Sequence, residues 1–399
     1  MSDAMTEAVS DRRFMANFLL LALVSGLTVG LGKVVTTIYA IDLGATAFQV
    51  GVIGSMESIG MVLVTVPAGF IIARYGARGI YFASSLGPLL VNFAMPFAAG
   101  WAALAGGRWL IGLCIPFRMV AMNSAFLERL RGRGETRGGW YRGALTAGMA
   151  ILGPASAGIL ILKAGVTAAF FIVAALFGVM AVFSLSFLPA RQPAAEESAS
   201  FFAEIGALLG NRAVAESSFV EFLSSATGSL FSTFVLLLAA ALPPLTREDG
   251  ITVLLVQGVS TVALLFLSGT LVARLARGTA YALALALAAA ALALLGFAHG
   301  FPALAAGAVL LSAASAVVHL INVRMLASIP GAKSKAAGLY NLASMTGSSA
   351  GALGGGLLTK LVPLQSVFLL WLPLLFGAAA IAFARHRFAR PLTPQEVLP

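Results

Sequence analysis

Twelve long apolar runs follow one another through this chain, near residues 14–39, 49–73, 80–99, 104–127, 141–163 and 166–188, then 213–240, 250–273, 279–298, 302–325, 337–360 and 366–384. A helix of about 20 such residues spans the hydrocarbon core of a bilayer. Inside lipid no water satisfies backbone N–H and C=O groups, so a chain made of such runs must fold as a bundle of helices. The expected class is an all-α membrane protein with twelve transmembrane helices. Only 10% of the 399 residues are charged, against about 25% in soluble domains. The net charge of +10 does not imply nucleic acid, because the cations sit in short connections between apolar runs. The lone cysteine, Cys114, lies within an apolar run, which leaves neither a disulfide framework nor a cysteine metal site.

One long polar gap, Pro189 to Arg212, divides the runs six and six. The expected organisation is a six-helix bundle over 1–188, a cytoplasmic linker over 189–212 and a second bundle over 213–399. Within the linker, Phe201 to Leu209 has the amphipathic pattern of a helix lying on the membrane surface. Arg12-Arg13 resembles a twin-arginine export signal. The apolar run behind it, however, outlasts the roughly 7–15 residues of a signal-peptide core, so it reads as the first spanning helix. Of the 25 lysines and arginines, all but Lys33, Arg108, Arg118, Lys163, Arg247, Arg324 and Lys360 then fall on the side of the N-terminus. That bias places both termini in the cytoplasm. The excess of arginine over lysine and the abundance of alanine suggest a GC-rich bacterial genome, and for a multi-span chain the expected location is then the bacterial inner membrane.

An internal repeat supports the division. Gly69-Phe-Ile-Ile-Ala-Arg74-Tyr-Gly76-Ala-Arg78 closes the second run, and Gly269-Thr-Leu-Val-Ala-Arg274-Leu-Ala-Arg277 closes the eighth, 200 residues later. Glu57 and Gln257 share that offset, while Tyr141 and Tyr340 are displaced by 199. Two parallel six-helix repeats with a substrate site between them near the midplane form a recurrent transporter architecture.

On these residues the chain resembles the major facilitator superfamily over nearly its whole length. Gly69-x-x-x-Ala73-Arg74-x-Gly76-x-Arg78 is similar to the family's loop between helices two and three, except that most members carry an aspartate where Ala73 stands. Arg108 followed by Gly112 is similar to the fourth-helix pattern, whose arginine is linked to proton coupling in relatives. Gly153-Pro154-x-x-Ala157-Gly158 looks like the fifth-helix pattern of exporters that exchange substrate for protons, with Ala157 replacing a glycine. The resemblance implies that helices one, four, seven and ten line the cavity, and that the glycines and arginines of these loops, with Gly153, Pro154 and Gly158, act as gate and hinge.

Polar residues on those helices are the candidates for chemistry: Lys33, Arg108, Arg118, Glu221, His319 and Asn322, with Glu57 on the second. A charge at bilayer depth costs about 2.5–3.5 kcal/mol on insertion scales, so a retained one faces a cavity or a partner. At about 1.5 Å rise per residue, Arg118 and Glu221 sit at similar depth from the cytoplasmic side, roughly 12 Å in. Lys33 and Glu57 sit about 9–12 Å in from the other. Two charge pairs that form and break during alternating access are therefore expected, Glu57–Lys33 and Glu221–Arg118, the alternative being that one or more of these residues faces a helix end and snorkels. Glu57, Glu221 or His319 could exchange a coupling proton, since burial and a nearby cation pull a carboxyl in opposite directions and histidine titrates near neutrality. The alternative for His319 and Asn322 is structural hydrogen bonding. The glycines of Gly26-x-x-x-Gly30 and Gly347-x-x-x-Gly351 read as close helix contacts. Trp101, Trp109, Trp140 and Trp371 read as interfacial anchors.

No phosphate-binding loop, His-Glu-x-x-His motif or Ser-His-Asp set stands out. The expected function is that of a monomeric secondary transporter without enzymatic activity, cofactor or metal. It would move a small organic molecule by alternating access, coupled to protons and in the export direction. The alternatives are an importer of a metabolite or metal chelate on the same fold, and a non-transporting sensor or scaffold.

Overall fold

The computed structural model of the chain describes residues 2–130, 136–188, 211–327 and 333–387. The expected surface helix at Phe201–Leu209 and most of the linker lie outside them. The first half comprises α1 (Ser2–Asp42), α2 (Ala47–Tyr75), α3 (Ala77–Ala94), α4 (Trp101–Leu130), α5 (Thr136–Ala147), a π turn (Gly148–Leu152) and α6 (Gly153–Phe187). The second comprises α7 (Arg212–Ala240), α8 (Arg247–Leu267), a short α9 (Gly269–Ala273), α10 (Arg277–Gly296), α11 (Phe301–Ala327), α12 (Lys333–Leu358) and α13 (Leu364–Arg387). The long helices alternate in direction. The face bearing the start of α1 is termed near, and the face bearing the α1–α2 turn is termed far.

Among the described residues, nine stretches are long and apolar enough to cross a membrane. One of them, Gly143–Phe187, holds the fifth and sixth expected spans joined at Gly165, whose φ of 82° and ψ of 168° reverse the chain. The α12 and α13 helices stand where the eleventh and twelfth spans are expected.

Helix starts repeat as the sequence does. Thr46 caps α2 and Thr246 caps α8, each accepting from the backbone N–H three residues on while that residue's side chain, Gln49 or Asp249, accepts from the cap. This reciprocal box satisfies donors that a helix start leaves orphaned. The ends of α2 and α8 differ. The stretch Gly69–Arg78, expected as a loop, is helical to Tyr75, and Gly76 alone (φ 84°) turns the chain into α3. A positive φ there disfavours any side chain, and the Gly76 N–H closes α2 on the Ile72 carbonyl. In the echo, Ser268 ends α8 and the short α9 intervenes before α10.

Packing within each half follows glycine. A Cβ on Gly26 would lie 2.1 Å from the Leu145 oxygen, and one on Gly148 would lie 2.2 Å from the Leu23 oxygen, so α1 crosses α5 and the π turn backbone to backbone. Gly347 and Gly351 on α12 meet the Phe222 and Ala226 carbonyls of α7 in the same way. Bringing helices together by dispersion contacts matters most where lipid removes the hydrophobic drive between them. Trp371, expected at an interface, is instead buried, and its Nε1 donates to Thr227 Oγ1 at 3.1 Å. An indole N–H buried in apolar surroundings needs such an acceptor.

Candidate functional site between and within the two halves

The halves meet along α2–α12, α2–α7, α1–α7 and α6–α8, with the π turn against α8. Polar contacts described between them run from Thr65 Oγ1 with Met345 Sδ (3.5 Å) to the far face. There Asp42 pairs with Arg247, and Lys360 Nζ sits 3.6 Å from the Phe48 ring centroid. Between these points Gly51 lies against the Ala352 carbonyl and Gly356. On the other seam, a Cβ on Gly258 of α8 would fall 1.8 Å from the Ala150 oxygen of the π turn. Pro154, buried at the start of α6, explains that geometry: it lacks the N–H that Ala150 would receive, and its ring crowds that carbonyl. The helix adopts π geometry there. Gly153 packs on Gly30, and a Cβ on Gly158 would lie 3.5 Å from Ile251 across the seam.

In the first half, α2 and α4 are nearly in backbone contact: a Cβ on Gly112 would lie 2.2 Å from the Glu57 carbonyl oxygen. One turn before, Arg108 forms a buried ion pair with the Glu57 carboxylate, the side chains 5% and 2% exposed. The expected Glu57–Lys33 pair is therefore replaced by Glu57–Arg108. Gly112 sets α4 closest to Glu57, and Gly32 leaves room for the guanidinium, whose Nη1 would be 3.4 Å from a Cβ there.

Arg118, ten residues on, points about 280° further around α4, into the space bounded by α1, α3 and α6. Its Nη2 donates to Ser25 Oγ (3.2 Å) and Tyr81 OH (3.1 Å) and contacts Met180 Sδ (3.3 Å). The guanidinium lies over the rings of Tyr81 (5.1 Å) and Phe177 (4.7 Å). Its Nε has no acceptor, and no carboxylate among the described residues reaches it. The expected Glu221–Arg118 pair is not formed, because Arg118 turns into the core of its own half. Cation–π contact offsets part of the burial.

Glu221 lies in the second half with neutral partners. Asn322 Nδ2 donates to its Oε2 (3.2 Å) and Ser225 Oγ to its Oε1 (3.2 Å). Asn322 Oδ1 in turn accepts from Tyr281 OH (2.7 Å) and from Ser217. Ser225 also meets Ser344 of α12 at 2.8 Å. His319 Nδ1 lies 3.2 Å from Tyr340 OH, so it faces α12 while Asn322, three residues on, faces α7.

Lys33 differs from all of these. The α1 helix is surrounded by α2, α4, α5, α6 and α7, and from Leu21 to Ala40 Lys33 is its one exposed residue. It forms no ion pair among the described residues. A helix enclosed on its own side has no lipid face at this level, so the ammonium opens into the space between the halves.

The residues expected to act as a gate differ in their surroundings. Arg78 Nε donates to the Leu188 carbonyl, tying α3 to the end of α6. Arg277 instead pairs with Glu216 of α7 at 2.7 Å. Arg74 is exposed and lies over Tyr75 at 5.4 Å. Gly69 and Arg274 are exposed. Sequence reasoning missed Ser25, Tyr81, Glu216 and Tyr281. The signal for the tyrosines was available, since Tyr81 and Tyr281 stand 200 residues apart, each holding the polar side chain of the next long helix.

The chain is similar to known membrane transporters. A crystal structure of the nucleoside transporter NupG superposes with a TM-score of 0.77 at 16% identity, covering 94% of this chain and 100% of that one. A bacterial homologue of the human lysosomal transporter Spinster, in an inward-facing and unoccupied conformation, gives 0.75 at 13% identity over 94% and 97%. The human organic anion transporter MFSD10 gives 0.65 at 18% identity over 93% and 99%. No curated protein sequence matches the chain. A sequence profile of the Major Facilitator Superfamily matches residues 18–256, more than half of the chain, and with the shared fold this shows that the chain belongs to the Major Facilitator Superfamily.

Proposed function

We propose that this protein is a proton-coupled secondary transporter that exports a small organic molecule across a bacterial inner membrane, with the near face and both termini cytoplasmic. The observation that carries the reading is Lys33, a cation on an otherwise covered helix, presented to the space between two halves whose polar contacts gather toward the far face. Such a seam, closed on one side, is one state of an alternating-access cycle. A lysine there favours an anionic group on the substrate.

Glu221 is the better proton carrier of the two buried carboxyls. Protonating Glu57 would strand the Arg108 guanidinium in a dry site, which is strongly unfavourable. Protonating Glu221 strands no cation, because its partners are an amide and a hydroxyl. The export direction rests on the Gly153-Pro154 turn, which packs on α8 where the halves must slide.

The test is substrate-induced proton movement in inverted membrane vesicles, read with a pH-sensitive dye. The panel begins with nucleosides and organic anions, the cargoes named for two structural neighbours, and continues with drugs and metal chelates. Proton release by one compound class, lost in Glu221→Gln and weakened in apparent affinity by Lys33→Ala, supports the reading. Accumulation of the compound only in right-side-out vesicles would establish import instead. Transport that survives Glu221→Gln with its proton coupling intact would remove Glu221 from the mechanism.

A further inference from the structure

The second half holds a cavity of about 390 Å³ that shares Glu216 and Tyr281 with the polar groups above and otherwise lies outside them. It is bounded by α7, α10, α11 and α13, and its walls include Phe219, Leu223, Leu285, Ala288, Leu311 and Ala314. Gly278, Ala282 and Ala380 on its lining are exposed.

The internal repeat explains why it is there. Counting 200 residues from the Arg118 site gives Val318 for Arg118, Tyr281 for Tyr81, Gly377 for Phe177 and Ala380 for Met180. Val318, Tyr281 and Ala380 all line the cavity. The first half fills this position with a guanidinium, a phenyl ring and a thioether; the second supplies a valine, a glycine and an alanine. The neighbouring helices also part. The rings of Phe14 and Phe187 (5.9 Å) and of Tyr39 and Phe170 (5.6 Å) lock α1 to α6, whereas α7 and α13 touch sparsely. Their one described hydrogen bond, Trp371 to Thr227, lies at the inner end of the cavity.

The cavity's depth and charge identify an occupant. From Glu216 to Thr227 on α7 is eleven residues, about 16 Å of helix rise. That is close to half of a ~30 Å hydrocarbon core, the depth of one leaflet. The walls over this length are mostly apolar, with Ser224, Thr227, Tyr281 and Ser315 as the polar groups beyond Glu216. At the near end Glu216, on the lining, pairs with Arg277, and Arg274, three residues earlier in the chain, is exposed. We infer that this slot binds one acyl chain of an anionic phospholipid of the near leaflet, with its phosphate at Arg277 and Arg274. The lipid wedges between α7 and α13, so it bears directly on the helix that carries Glu221.

The full-length protein, reconstituted in vesicles of phosphatidylethanolamine and phosphatidylglycerol, tests this. Trace phosphatidylglycerol carrying a diazirine in one acyl chain is irradiated, and the adducts are mapped. Adducts are expected on Phe219–Thr227 of α7 or Leu311–Val318 of α11, besides those on the exposed belt at Leu90 and Phe93 of α3. Ala314→Phe fills the slot and should lower the inner adducts about tenfold, the effect of losing roughly two buried methylenes, with belt adducts unchanged. Ala380→Phe near the exposed end provides the same test if Ala314→Phe fails to fold. Arg277→Gln should erase the preference for phosphatidylglycerol over a phosphatidylethanolamine probe. Belt labelling without inner adducts, or inner adducts indifferent to both filling variants, would overturn the slot. Equal labelling by the two probes in the unaltered protein would overturn the headgroup assignment.

Discussion

The two halves share helix order, capping boxes and paired tyrosines, yet they solve the burial of charge in opposite ways. The first half encloses two arginines and one glutamate: Arg108 is neutralised by Glu57, and Arg118 is held by hydroxyls, a sulfur and rings. The second encloses Glu221 within an amide and hydroxyl network and leaves open the place that Arg118 fills in its twin. At the position of Gly112, which lets α4 reach Glu57, the second half has Ser312, whose Oγ donates to the Gln257 carbonyl at 2.9 Å. Backbone proximity and an ion pair in one half are replaced by a hydroxyl bridge in the other. A repeated scaffold can thus bury a cation-rich set of charges in one half and an anion-bearing set in the other.

The largest effect should come from Arg108→Ala. It strands Glu57 and should lower stability by about 3–5 kcal/mol, the penalty for half of a buried pair. Unfolding in detergent, followed for Arg108→Ala, Glu57→Ala and the double variant, checks it. A double variant no more stable than Arg108→Ala alone would show that the pair is not a unit.

The tyrosines give the next comparison. Tyr81→Phe removes a bond to a charged group, about 1.5–3 kcal/mol, whereas Tyr281→Phe removes neutral bonds to Asn322 and Ser217, about 1 kcal/mol because those two still bond each other. Equal losses would mean that Arg118 draws its support from the rings and not from the hydroxyl. Below these, Gly112→Ala should cost about 1–3 kcal/mol by forcing α2 and α4 apart. Its twin, Ser312→Ala, should cost about 1 kcal/mol. The difference between them, read from thermal midpoints, measures how much tighter the first half is packed. The smallest effect belongs to Asp42→Asn at the far face. Both partners there are more than a third exposed, so the loss should stay below about 1 kcal/mol and shrink as salt is added. A larger, salt-insensitive loss would mean that this pair bears more of the closure than its exposure implies.

Much of this was legible in the chain. Apolar runs separated by polar turns specify spanning helices because lipid forbids other backbone solutions. The 200-residue echo exposed the repeat, and the seams at Gly26 and Gly347 followed from glycine spacing. Besides the loop expected at Gly69–Arg78, which is helical to Tyr75, three readings needed correction, each for a geometric reason. Depth along a helix placed Lys33 beside Glu57, but rotation and the Gly112 contact gave Glu57 to Arg108. Similar depth suggested Arg118 for Glu221, but the arginine faces away from the seam. Hydropathy put Trp371 at an interface, while its indole N–H had an acceptor within the bundle.

What the sequence determined by itself is the set of helices, their twofold repetition and the family, all of which rest on local composition and spacing along one dimension. Only the tertiary structure decided which charge meets which, that Lys33 opens from an otherwise covered helix into the space between the halves, and that the second half has a slot where the first has an arginine. Those depend on helix rotation and on separations of an ångström or two between segments far apart in the chain. A single missing Cβ, at Gly112, or two small side chains together, at Val318 and Ala380, are enough to change them.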